Sequence, residues 1–168
     1  MRRSLVLMML ALAGCATDRA RGPLAIPLGL TAADTGRALR AYDFCLREGP
    51  RTTEEMFWAC DHPGLKDSDA WVVARYDGGV LVRLQRFERW ADPAAARQRW
   101  DALVARRAES NRPSTGAREQ LEARHRVPAG TEAWVAFSSG DELIGLYLLG
   151  PTGPDGPSVL EEIVPAVE

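Results

Sequence analysis

Trp71-Val72-Val73-Ala74-Arg75-Tyr76, then Asp77-Gly78, then Gly79 to Phe87 is the stretch that decides the fold class. Its period is two, and an Asp-Gly pair sits in the middle, the pattern of two antiparallel strands joined by a tight turn. With Asp77-Gly78 as the loop, Val73 faces Val82 and Trp71 faces Leu84. Those four share one side and point into a core, while Val72 and Arg83 take the other side. The pattern returns at Glu132 to Phe137 and Glu142 to Leu149, around Ser138-Ser139-Gly140-Asp141. That loop sets Val135 opposite Ile144 and Trp134 across from Gly145, an aromatic covering a strand glycine. Leu121, Ala123, His125 and Val127 alternate with Glu122, Arg124 and Arg126 and read as one further strand. The hairpins open alike, Asp69-Ala70-Trp71-Val72 and Glu132-Ala133-Trp134-Val135, a likeness that shared β-propensity explains as well as duplication does.

Around these strands the period shifts toward that of a helix. Asp92-Pro93 supplies a cap and a first turn. Ala96, Trp100, Leu103, Val104 and Arg107 then predict a helix over 93–110 that lays one stripe on the sheet and lets its arginines snorkel outward. Thr31 and Asp34 open another helix, in which Ala38, Leu39, Tyr42, Cys45 and Leu46 recur at helical spacing up to Gly49-Pro50. Thr52 and Glu55 form a capping-box pattern for a second, short helix carrying Met56, Phe57 and Cys60, stopped by Asp61-His62-Pro63-Gly64. After a Gly/Pro linker at 151–157, Ser158 to Glu161 caps a last short helix whose Val159, Leu160, Ile163 and Val164 dock on the core. The expectation is a single α+β domain over residues 31–168. It has an antiparallel sheet of two hairpins plus one further strand, covered by a helix, with an N-terminal helical pair beside it.

The first fifteen residues follow a different logic. Arg2 and Arg3 are followed by the apolar run Leu5 to Leu12, and Leu12-Ala13-Gly14-Cys15 closes it with small residues and a thiol. A charged start, a short apolar core and a small-residue exit form the layout of a secretory signal, too short to span a bilayer. The segment resembles the signal peptide of bacterial lipoproteins, whose lipobox Leu12-Ala13-Gly14-Cys15 matches at all four positions. The resemblance covers the leader alone and does not extend to the mature domain. It implies cleavage of the signal peptide 1–14, acylation of Cys15 on its sulfur and its new amino group, and a membrane partner through that anchor. One acyl chain binds only marginally, so several chains on one residue make the attachment lasting. Ala16 in place of an aspartate implies sorting to the inner leaflet of the outer membrane, facing the periplasm. Residues 15–30 are then the lipidated Cys15 and a tether, with Gly22, Pro23, Pro27 and Gly29 arguing against regular structure. Leu24, Ile26 and Leu28 are apolar enough for part of it to dock on the domain. In an oxidising periplasm the two remaining thiols, Cys45 and Cys60, are expected to form a disulfide; the alternative is two buried free thiols.

Removing residues 1–14 from the 168 leaves 154, a length that suits one domain with a real core. The formal charge moves from −2 to −4 on losing Arg2 and Arg3, which gives no general affinity for nucleic acid. Residues 75–126 hold twelve arginines against seven acids, and 127–168 hold seven acids and no base. The expectation is that the two segments lie against each other; a basic face for anionic lipid or polysaccharide is the alternative.

Side chains that carry chemistry are scarce. His62 and His125 are the two histidines, and neither has a partner at a recognised spacing. Cys60-Asp61-His62 lacks the further ligands a metal needs, so no metal and no cofactor is expected. Ser138-Ser139-Gly140 reads as turn chemistry rather than a nucleophile, and Gly78-Gly79 opens no phosphate-binding helix. Glu161-Glu162 reads as a solvated helix face. Arg86-Phe87-Glu88-Arg89-Trp90 interleaves base and aromatic, a pattern for strand-end packing with cation–π contacts; the alternative is an exposed grip on a polyanion or a sugar. No catalytic set emerges. The reading is a non-enzymatic envelope lipoprotein that binds a partner protein or supports envelope maintenance. The alternative is a module for a small apolar or anionic envelope molecule, with Trp71, Trp100 and Trp134 lining a cavity between sheet and helix.

Overall fold

Seven strands form one antiparallel sheet: β1 (Phe44–Leu46), β2 (Glu54–Ala59), β3 (Ser68–Asp77), β4 (Val80–Trp90), β5 (Thr131–Ser139), β6 (Glu142–Leu149) and β7 (Ser158–Pro165). Their spatial order is β1-β2-β3-β4-β7-β6-β5. Helices α1 (Ala32–Arg40), α2 (Pro93–Ser110) and α3 (Thr115–Arg124) complete the described elements. These come from a computed structural model that describes residues 22–46, 53–60, 68–124, 126–153 and 155–166. The leader, Cys15, Gly49-Pro50, Thr52, Asp61 to Gly64 and His125 lie outside the described residues. The α+β class and both hairpins stand, but the sheet is larger than two hairpins plus one strand.

Three segments expected as helix are strands. The expected C-terminal helix is β7, which lies between β4 and β6 and joins the two hairpins into one sheet. Val159, Ile163 and Val164 are β-branched and favour an extended chain, and pairing on both edges outweighs the local cap pattern. The short capping-box helix is β2, where Glu55 and Phe57 are buried and Met56 between them is exposed. Six residues are too few for a helix to stand on propensity alone, and pairing with β3 decides. The first helix starts as expected, with Thr31 Oγ1 accepting from Asp34 N, but ends at Arg40. Asp43 then takes φ 61°, a left-handed turn that Asp tolerates, and β1 begins. The N-terminal helical pair is therefore one helix and two strands.

The reverse correction applies at 121–127, expected as a strand. Thr115–Arg124 is helical, with Ser114 Oγ accepting from Ala117 N. Ala117 and Leu121, four apart, form its buried face, so the apparent alternation was a coincidence of a short helix.

Both hairpins pair in another register. The first turns on Gly78-Gly79, at φ 56° and 83°, because a two-residue turn that matches strand twist needs positive φ at both positions. Trp71 accordingly pairs with Phe87, Val72 with Arg86 and Val73 with Gln85, and the register shifts again between Arg75 and Tyr76. Ala70, Val72, Ala74 and Tyr76 are the buried side of β3, while Trp71 and Val73 occupy the opposite face. The second hairpin turns at Gly140-Asp141, which sets Val135 opposite Leu146 and Trp134 opposite Tyr147. An aromatic does cover Gly145, but it is Tyr147: a Cβ at Gly145 would lie 2.6 Å from its ring.

The sheet divides the molecule. On one face α1, α2 and the segment 22–30 enclose the main core, with Leu39, Phe57, Val72, Leu84, Leu103, Leu146 and Ile163 nearly inaccessible. On the other face α3 packs on β5 and β6 over Ala136, Leu143 and Val164. The acidic C-terminal segment does lie against the basic middle, through Arg86–Glu161, Arg107–Glu161, Arg83–Glu162 and Arg89–Asp155.

Candidate functional site

Two arrangements stand out, one on each face. Beneath α2, strands β4 and β7 bring Arg86 and Glu161 into direct register. Arg86 Nη2 lies 2.8 Å from Glu161 Oε2 as an ion pair in poor hydrogen-bond alignment. Arg107, expected to join the apolar stripe of α2, turns inward and donates to Glu161 Oε1 through Nε at 3.1 Å and Nη2 at 2.7 Å. Glu88 lies 3.3 Å from Arg86 and accepts two 2.6 Å hydrogen bonds from Arg99. Burial alone would lower the Arg99 guanidinium, but the hydrogen bonds and charge of Glu88 outweigh it and raise it. Among the described residues, Arg86, Arg99 and Arg107 thus gather around Glu88 and Glu161 beneath the helix.

The segment 22–28 adds backbone partners to this cluster. Gly22 O accepts from Arg86 Nη1 at 2.7 Å, Leu24 O accepts from Arg107, and Leu24 N donates to Glu161 at 3.2 Å. Ala25 N donates to the Tyr42 hydroxyl and Leu28 N to Glu142. Leu24 and Ile26 fill the adjoining core.

On the second face a single row of paired residues crosses the sheet. Trp58 pairs with Trp71, Trp71 with Phe87, Phe87 with Leu160, Leu160 with Tyr147, and Tyr147 with Trp134. Trp71 and Phe87 are 5.1 Å apart at 7°, and Trp134 and Tyr147 are 5.4 Å apart at 14°. Nearly parallel rings at these centroid distances are offset-stacked, a favoured aromatic arrangement. Arg118 caps Trp134 at 4.4 Å and Arg89 lies 5.3 Å from Trp71. Below the row, buried Glu162 accepts from Arg83 Nε at 2.7 Å and Gln85 at 3.2 Å, and Tyr147 OH lies 3.5 Å away. Burial, then the charge and hydrogen bond of Glu162, push the Tyr147 phenol well above its usual range. Helix α3 covers the Trp134 end, and on β2 the neighbouring Met56 is 43% exposed.

The three tryptophans grouped from sequence are separated. Trp71 and Trp134 belong to this row, whereas Trp100 packs on the first face and donates to Leu146 O at 3.3 Å. A cavity of about 520 Å³ opens between Pro23, Ala25 and the end of α2. Another of about 290 Å³ lies between α1, Leu46, Glu55 and Phe57; neither is lined by a tryptophan. Glu161 and Glu162, expected on a solvated helix, are buried on opposite faces of β7, each beneath arginine. Sequence reading missed Arg86, Glu88, Arg99 and Glu161 as a cluster; the one available signal was the opposed charge of the two segments. Cys45 and Cys60 form a disulfide that ties β1 to the end of β2, with Cα atoms 5.3 Å apart. Among the described residues no group of three His, Cys, Asp or Glu side chains is arranged to hold a metal. No protein-family model matches the chain, and no curated protein or solved structure matches it either.

Proposed function

We propose that the chain is an envelope lipoprotein, anchored through Cys15 and facing the periplasm, that acts by binding a partner protein and not by catalysis. The lipobox supports the anchor, and the Cys45–Cys60 disulfide fits an oxidising compartment. The observation that carries the binding role is the Trp58–Trp71–Phe87 half of the row beside exposed Met56. Tryptophan, methionine and arginine together are the composition of protein interfaces. The anchored end arrives on the opposite side, since Leu24 packs into the core of the first face.

Site-specific photo-cross-linking in cells tests this. A photoreactive residue at Met56 is expected to give one discrete adduct that Trp71→Ser abolishes, while the same probe at exposed Ala33 on α1 gives none. Equal labelling from both positions would refute the surface. Cys15→Ser tests the anchor and is expected to leave the chain uncleaved or soluble.

A further inference from the structure

We propose that residues 22–28 form a detachable strap, docked on Arg86, Arg107 and Glu161, that switches the domain between a short and a long reach from its point of attachment. The inference rests on the anchor reading for the reach alone; the detachment itself is a property of the domain. Every hydrogen bond described above for residues 22–28 runs to a side chain: Arg86, Arg107, Glu161, Tyr42 and Glu142. Among the described residues, backbone pairing begins beyond them, where Gly29 N donates to Leu81 O at 2.8 Å and Thr31 bridges to Val80. The strap can therefore lift without breaking any rung of the sheet. The groove it would leave is not a plain apolar one. Arg86, Arg107 and Glu161 are desolvated beneath the strap, and water entering behind it would hydrate them, which lowers the cost of opening. An apolar groove of the same size would gain nothing from that water.

The consequence is a change of length. With Gly22 docked, it lies seven residue steps from Cys15, a span of at most about 23–25 Å. With the strap free, the first fixed backbone is Gly29, fourteen residues away, and the span doubles to about 46–50 Å. A partner held farther from the membrane than the short reach would draw the strap off, and a nearer one would leave it docked.

Hydrogen exchange on the full-length mature protein in mild detergent, followed by mass spectrometry, tests the strap. The amides of Leu24, Ala25 and Leu28 are expected to exchange at least a hundredfold faster than those of β4 and β7. Leu24→Ser removes an apolar anchor without touching the charged groups. It is expected to speed exchange in 22–28 tenfold or more while β4 and β7 change less than twofold. Exchange of 22–28 in step with β4 and β7, or a uniform acceleration in Leu24→Ser, would overturn the proposal. Tyr42→Phe, which removes the Ala25 partner, should reproduce the local effect. The mass of the amino-terminal peptide from the same digest reports the anchor separately. An unmodified Cys15 would remove the change of reach and leave the exchange result to be judged by itself.

Discussion

Arg86 and Glu161 face each other across paired strands β4 and β7, each 1% exposed, with Nη2 and Oε2 2.8 Å apart. Their removal should not be symmetrical. Glu161 also serves Arg107, so Glu161→Ala takes the shared carboxylate from two buried guanidinium groups at once and should cost about 3–5 kcal/mol. Arg86→Met instead leaves each carboxylate with an arginine, Glu161 with Arg107 and Glu88 with Arg99. It loses the bond to Gly22 and should cost less than about 1.5 kcal/mol, or stabilise. Urea denaturation of both variants checks this, and equal losses would refute the asymmetry.

The Cys45–Cys60 bridge spans a sequence separation of 15 and closes the β1–β2 edge. In the chain-entropy account a loop of that size is worth about 3 kcal/mol. Cys45→Ser should therefore lower the melting temperature of the oxidised protein. Reductant should lower the wild type to the same value and leave the variant unchanged. A further drop of the variant in reductant would place the effect elsewhere.

Two of the three tyrosines should stay protonated well above pH 10. Burial raises Tyr76, with a hydrogen bond from Thr35 opposing and Glu55 reinforcing, and the Tyr76 hydroxyl lies 3.0 Å from Glu55. Burial and Glu162 raise Tyr147. Because the folded value lies above the unfolded one, this contribution is complete below about pH 10 and is lost as the pH climbs from there. Above pH 10 stability should fall with a limiting slope of about 1.4 kcal/mol per pH unit for each of the two phenols, over a window that solvent screening shortens. Absorbance near 295 nm in native and urea-unfolded protein checks it, with two phenols missing from the native titration at pH 11.

The residues that misled are as instructive as those that did not. Asp92-Pro93 and Thr31-Asp34 marked their helix starts because capping is local chemistry, complete within four residues. The hairpins were legible for the same reason, but their registers were not. Asp77-Gly78 and Gly78-Gly79 are both acceptable turns, and one step between them turns Trp71 from the core to the opposite face. β7 was unreadable because its fate is set by β4 and β6, and nothing within Ser158 to Pro165 records that two strands flank it. The charged cluster was hidden for the same reason. Arg86, Arg107 and Glu161 are 21 and 54 residues apart along the chain, and only the fold brings them within hydrogen-bond distance.

Trp134 links the aromatic row to the Tyr147 titration, so one substitution should move two readouts. Its ring stacks on Tyr147 and lies under Arg118, but it is half-buried rather than enclosed. A fully buried tryptophan would cost about 3–5 kcal/mol on truncation to alanine, so Trp134→Ala should cost about 2–3 kcal/mol. The lost ring also opens one side of Tyr147 to water. That weakens the burial holding its phenol up, and Tyr147 should begin to ionise at lower pH while Tyr76, on the other face of the sheet, is unmoved. A stability loss with both phenols unchanged would mean that Glu162, and not the stacked ring, controls Tyr147. A shift in both would mean that the truncation loosens the whole sheet instead of its second face.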